Sequence, residues 1–294
     1  MEKSTSMTEG SIWRQLIRFA VPLILGNLFQ QLYNTVDSII VGNYIGKHAL
    51  AAVGACGALI DLLLAFCIGA SVGAGVVIAQ QYGAKDERGV EKAVHTTVAI
   101  AIIFGLIMMA IGISAAPIFL NWMGTPKEVL PQAVLYMRIF FGGMLFSVVY
   151  NYAAGILNAV GNSAKALQYL MIAAGSNIVL DWIFVVVFHM GVEGVALATD
   201  IAQFISCVCI LQYLMKSKDL YRLKLRSIRL DKIMAARIIR IGIPAGIPNM
   251  VISFSNVVIQ ANVDRFGADL MAAFAAYIKI DGFNILPVLS FGMA

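Results

Sequence analysis

The chain of 294 residues is 60% hydrophobic and 13% charged, with a mean hydropathy of +0.85. Water-soluble domains carry about 45–50% apolar and about 25% charged residues. The composition therefore excludes a soluble enzyme, a secreted disulfide scaffold, a disordered chain and a nucleic-acid binder, and points to an all-α polytopic membrane protein. The net charge of +5 is assigned below to membrane orientation rather than to a polyanionic partner. Cys56, Cys67, Cys207 and Cys209 all lie inside apolar runs, a poor setting for a disulfide framework or a zinc site. His48, His95 and His189 are scattered singly, which argues against a metal cluster.

A hydrocarbon core about 30 Å thick needs about 20 apolar residues per helix. In chain order the sequence predicts eight spans, near 17–42, 49–80, 93–118, 131–158, 165–189, 193–215, 240–264 and 269–294. Turn signals separate them, such as Gly83-Ala84-Lys85-Asp86 and Gly124-Thr125-Pro126-Lys127. The two longest runs are expected to tilt or to extend beyond the lipid. Met1 to Gly10 is polar and leads into a full span, so no cleavable signal peptide is expected. With the N-terminus in the cytoplasm, sixteen Lys and Arg fall inside and three (Lys47, Lys127, Arg265) outside, a strong positive-inside bias. Nine of the sixteen lie between spans 6 and 7, from Lys216 to Arg240, which reads as a basic cytoplasmic linker near anionic lipid.

The start of span 7 copies the start of span 1. Arg18, Pro22, Asn27 and Asn34 reappear 222 positions later as Arg240, Pro244, Asn249 and Asn256. At an offset of 221 the match resumes, Gly46 with Gly267 and Ala51-Ala52 with Ala272-Ala273. Six spans separate the copies, so both enter from the same side, related by an axis along the membrane normal. The expected organisation is a six-helix lobe (1–215), a linker (216–239) and the first two helices of a pseudo-symmetric second lobe (240–294). On this reading the chain is a piece of a longer two-lobe protein.

A charged side chain near the bilayer centre costs about 2.5–3.5 kcal/mol on insertion scales. Asp37, Asp61, Asp181, Asp200 and Asp281 are therefore candidates for function. Asp37 is placed ~8 Å below the outer end of span 1, Asp181 ~12 Å below that of span 5 and Thr199 ~9 Å into span 6. Asn177 and Asp181 share a face at i, i+4. Two carboxylates, an amide and a hydroxyl from three helices thus converge at one depth. Such an oxygen shell suits a sodium ion, and a carboxylate pair suits a shared proton. The bland alternative is helix-to-helix hydrogen bonding, routine for Thr199 or Asn177 alone. Asp61 and Asp281 occupy matching stretches of spans 2 and 8 near the midplane, as candidates for a cavity between lobes, whereas Asp200 has no assigned role. Pro22 is expected to kink span 1, either as a moving hinge or as a static bend.

The series Pro22, Asn27, Gln30, Tyr33, Asp37 and Gly42, followed by Gly46, Ala51-Ala52 and Gly54, resembles the first two helices of the multidrug and toxic compound extrusion (MATE) family. Gln80-Gln81-Tyr82-Gly83-Ala84, the Asn177–Asp181 pair and Ala198-Thr199 fit the same family. The resemblance covers the whole chain as the first two-thirds of a twelve-helix protein. It implies a monomeric inner-membrane antiporter that expels cationic or amphipathic drugs in exchange for protons or sodium by alternating access. It places cation binding at Asp37, Asn177, Asp181 and Thr199, and drug contacts at Gln30, Tyr33 and Asn151. Asp37 aligns with Ile259 in the second copy, so coupling is expected in one lobe. No cofactor is implied beyond the coupling ion. A lipid-linked sugar flippase of the same superfold would want basic residues in its cavity, where only Arg138 and Lys279 lie within spans. An intramembrane enzyme or receptor would want a nucleophile–base pair or a metal triad, and neither is visible in the sequence.

Overall fold

The computed structural model describes the backbone of residues 12–293, with the side chains at 12–20, 22, 23, 27, 66, 279 and 283–293 outside the described set. Its helices are α1 (Ile12–Ile40), α2 (Lys47–Gly83), α3 (Glu87–Trp122), α4 (Leu130–Gly142), α5 (Met144–Ala159), α6 (Ser163–Asp181), α7 (Val192–Lys216), α8 (Lys232–Asp264) and α9 (Ala268–Met293). Each of the eight predicted runs is helical, α4 and α5 together making the fourth. Among the described residues, five helices and the α4–α5 pair are each long and apolar enough to cross a membrane.

Three departures from the sequence reading have local causes. The fourth span is not one helix: the adjacent Gly142 and Gly143 end α4, and α5 leaves at an angle of 49°. The linker is shorter than 216–239, because α8 starts at Lys232. There the Asp231 side chain caps the helix, its Oδ1 accepting from the N–H groups of Ile233 and Met234, both at 3.0 Å. The C-terminal ends of α1 and α6 each continue as a π-helical turn, Val41–Ile45 and Trp182–Val187, and the two turns pack together.

The repeat has a conformational counterpart. Gly46 and Gly267, matched in the two copies, both take positive φ (118° and 95°) and turn the chain into the following helix. A side chain would be strained in either place.

The second copy, α8 with α9, packs chiefly along α2. At the centre of that seam, Gly69 of α2 faces Gly246 of α8 and Gly73 faces Gly242. A Cβ on either α2 glycine would overlap the opposing backbone. Both helices thus carry two glycines four apart, the small-residue spacing that lets membrane helices approach backbone to backbone. The pairing is antiparallel, as the even and odd numbering of the spans requires. Further along, Gly54 leaves room for Ala275 of α9.

The connector between α7 and α8 is strapped to the basic end of α3. The Lys224 backbone N–H donates to His95 Nε2 at 3.0 Å, and its ammonium pairs with Glu91 at 2.8 Å. His95 Nδ1 therefore carries the proton and donates to the Glu91 carbonyl at 2.6 Å. The Asp231 backbone N–H donates to Thr96 Oγ1 at 3.2 Å.

Two outcomes test this packing. Gly73→Ala should lower stability by about 1–3 kcal/mol, because the obstructing atoms are backbone and cannot rotate away; an unchanged thermal unfolding midpoint in detergent would contradict the seam. The N–H of Met234, with that of Ile233 and the charges of Lys92 and Arg229, holds the Asp231 carboxyl below the usual carboxylate range. That contribution is fully present above about pH 3.9 and is lost as pH falls through the lowered folded value. Asp231→Ala should therefore melt earlier than the parent at neutral pH, with the gap closing on strong acidification.

Candidate cation site

α1 and α6 lie side by side, and each delivers one acid to their contact. Asp37 is buried near the C-terminal end of α1, and Asp181 is fully buried at the last position of α6, just before its π-helical turn. Turns of this kind cluster at functional positions. The carboxyl group of Asp181 lies within hydrogen-bonding reach of that of Asp37. Among the described residues, no donor is placed on either Asp181 oxygen.

One helical turn before Asp181, the Asn177 amide nitrogen donates to Thr199 Oγ1 of α7 at 3.3 Å. Thr199 in turn donates to the Val195 carbonyl at 3.1 Å. That leaves Asn177 Oδ1, also buried, without a partner. The structure therefore gathers Asp37, Asn177, Asp181 and Thr199 from three helices. The groups left open are all oxygens. A buried polar atom without a partner is costly, and two ionised carboxylates side by side repel. A proton between the acids, or a hard cation ligated by them and by Asn177 Oδ1, relieves both penalties.

The other predicted residues are less concentrated. Tyr33 is buried and its hydroxyl meets the side chain of Gln30, which is exposed. The Asn151 amide nitrogen turns back to the Ser147 carbonyl of its own helix at 2.8 Å, while its main-chain oxygen accepts from Ser71 at 3.4 Å. Pro22 falls within α1, but its side chain lies outside the described residues, as do those of Asn27 and Lys279. Asp61 is exposed on α2 within electrostatic reach of Tyr33, and Asp281 is half-buried on α9.

Several residues of this region had no role assigned from the sequence. Tyr136 of α4 is buried within electrostatic reach of Asp37, Asp181 and Asp200. A lone tyrosine in an apolar run gives little signal. Asp200, next to Thr199 on α7, packs its carboxylate against Gly143 at the α4–α5 break, filling the space a Cβ there would need. The Gly142-Gly143 pair marks that break, but within an apolar run it carries little signal. At the opposite end of the bundle from the connector, Asp264 of α8 is 1% exposed. It accepts from Gln260 at 2.8 Å and from the Thr125 hydroxyl at 3.4 Å, joining the second copy to the turn between α3 and α4. Lys47 and Asp269, at 2.7 Å, join α2 to α9 on the same end.

Comparison with known proteins follows this geometry. The MatE family model matches residues 22–183. The probable multidrug resistance protein YpnP of Bacillus subtilis is 30% identical over 292 residues, covering 99% of this chain and 65% of its own length. An outward-facing structure of a multidrug resistance MATE transporter of the MOP superfamily superimposes with a TM-score of 0.86 at 26% identity, covering 99% of this chain and 65% of that one. An inward-facing structure from the same family gives 0.83 at 27% identity, covering 89% and 60%. The chain thus spans about 65% of the length of YpnP.

The Asp200–Gly143 contact is testable by a double-mutant cycle. A Cβ at position 143 would overlap the Asp200 carboxylate. Gly143→Ala should cost about 1–3 kcal/mol of stability, and Asp200→Ala in the same protein should return part of that loss; strictly additive effects would show that the two do not interact.

Proposed function

The chain belongs to the MatE family, the multidrug and toxic compound extrusion transporters, and from that we propose that it supplies the coupling lobe of a secondary efflux transporter of the inner membrane. The substrates are cationic or amphipathic drugs, expelled in exchange for protons or sodium ions. The naming of YpnP as a probable multidrug resistance protein supports the substrate class. The comparable likeness to outward- and inward-facing structures supports alternating access.

One observation carries the coupling reading: Asp37 and Asp181 sit together, buried, with oxygen acceptors left open beside them. As anions they repel. Uptake of one positive ion removes that repulsion and lets α1 settle against α6. Release restores it and favours an arrangement in which the acids separate or hydrate. A ligand shifts such an equilibrium only through its different affinity for the two states. Here the ion's affinity is set by the distance between two carboxylates on different helices. Gln30 and Tyr33, one to two turns below Asp37 on α1, are then displaced whenever α1 moves, which links ion uptake to drug contact. The positive-inside bias supports a cytoplasmic N-terminus, so the end bearing the connector is cytoplasmic and the cation pair lies toward the outer leaflet. The protein acts as a monomer with no nucleic-acid partner.

Dye efflux from vesicles holding the whole protein, with pH and sodium gradients imposed separately, tests this reading and identifies the ion. Asp37→Asn keeps the shape and removes the charge, so efflux should fall to the level of protein-free vesicles while expression is normal. Undiminished gradient-driven efflux from that variant would overturn the assignment.

A further inference from the structure

Away from the cation pair, a cavity of about 350 Å³ lies where the two lobes meet near the basic end. One wall is Ile100, Ile103 and Ile107 of α3, and the other is Ile239 and Ile243 of α8, with Tyr152 of α5 as the floor. Leu230 of the connector lines it too. Every side chain lining it is aliphatic or aromatic. Water would find few polar partners there, whereas an apolar ligand of ordinary pocket size fits. Ile103, Ile107, Ile239 and Ile243 are between 44% and 49% exposed, so the groove opens outward, away from the packed interior.

The rim of the groove is basic. On α3, Lys92 continues the stripe of Ile100, Ile103 and Ile107 at helical spacing, and on α8 Lys232 continues that of Ala235, Ile239 and Ile243. Arg229 precedes Leu230. All three cations are exposed. The carboxylates nearby are Asp231, 4.0 Å from Lys92, and Glu91, which is taken by Lys224 at 2.8 Å. Three cations therefore face one weakly paired carboxylate. The length also fits: fifteen residues of helix from Lys92 to Ile107 rise ~22 Å. Half a bilayer with its headgroups measures about 20–22 Å.

We propose that this groove is a binding site for one anionic phospholipid, with an acyl chain between α3 and α8 and the phosphate on Lys92, Arg229 and Lys232. With the orientation proposed above the lipid comes from the cytoplasmic leaflet; the site itself does not depend on the coupling reading. The two walls belong to different lobes, so a bound chain stabilises the lobe arrangement seen here by mass action.

The test uses the whole protein purified in neutral detergent, with phosphatidylglycerol or phosphatidylcholine of identical chains added. Lipid retention is read by native mass spectrometry and stability by thermal unfolding. Phosphatidylglycerol should be retained more and should raise the unfolding midpoint further. The Lys92→Gln, Arg229→Gln, Lys232→Gln variant should lose that preference while binding both lipids equally. Ile239→Trp, which fills the groove, should reduce retention of both. Equal retention of the two lipids by the parent protein would overturn the proposal, as would a preference that survives in the triple variant. Inorganic phosphate matching the effect of phosphatidylglycerol would reduce the site to its rim and would equally overturn it. The readout is lipid retention, so a failure here is separable from any failure of ion-coupled efflux.

Discussion

Backbone meets backbone where Gly69 and Gly73 of α2 face Gly246 and Gly242 of α8, and the relation between the two copies depends on that approach. Inside a membrane, burial from water offers no drive for helices to associate; van der Waals packing must supply it. Bare glycines maximise that packing by bringing many atoms into contact. Everything that bridges the copies, from Lys47–Asp269 and Thr125–Asp264 at one end to the connector strap on α3 at the other, is arranged around this crossing.

The first lobe uses the opposite strategy. Where the crossing of α2 and α8 is built on bare glycines, α1, α6 and α7 bury polar groups and leave some without partners among the described residues. Asp181 and Asn177 would be a liability in a purely structural bundle. Their cost is consistent with a site whose missing partner arrives and leaves. Asp200, by contrast, is packed against the backbone at Gly143. Adjacent residues on α7 thus divide the work: Thr199 faces the open cluster, and Asp200 fixes the neighbouring broken span.

The sequence made the spans and the meeting of Asp37 with Asp181 legible because both rest on spacing alone. Apolar run length fixes where helices cross, and distance from the helix end fixes depth. Contacts that depend on which face meets which neighbour were not readable. Asp200 and Thr199 are consecutive, yet only the packing of α7 shows that one meets Gly143 and the other Asn177. The bend at Gly142-Gly143 looked like any two glycines in an apolar run. The glycine spacing of α2 and α8 was in plain view, but small residues four apart are common in membrane helices, and one chain cannot say which pair is used. Asp264 sat at the edge of a predicted span, where an acid looks like a solvated end; its burial comes from the Thr125 turn folding over it.

The position of the glycine crossing along α8 sets a mechanical ratio. Residues 242–246 lie ten to fourteen positions from the start of a helix that ends at Asp264, or ~15–21 Å from one tip and ~27–33 Å from the other. Were α8 to swing as a rigid rod about that fulcrum, the tip bearing Asp264 would travel about 1.3 to 2.2 times as far as the tip at Lys232. A small excursion beside the connector would then be magnified into a wide one at the far face.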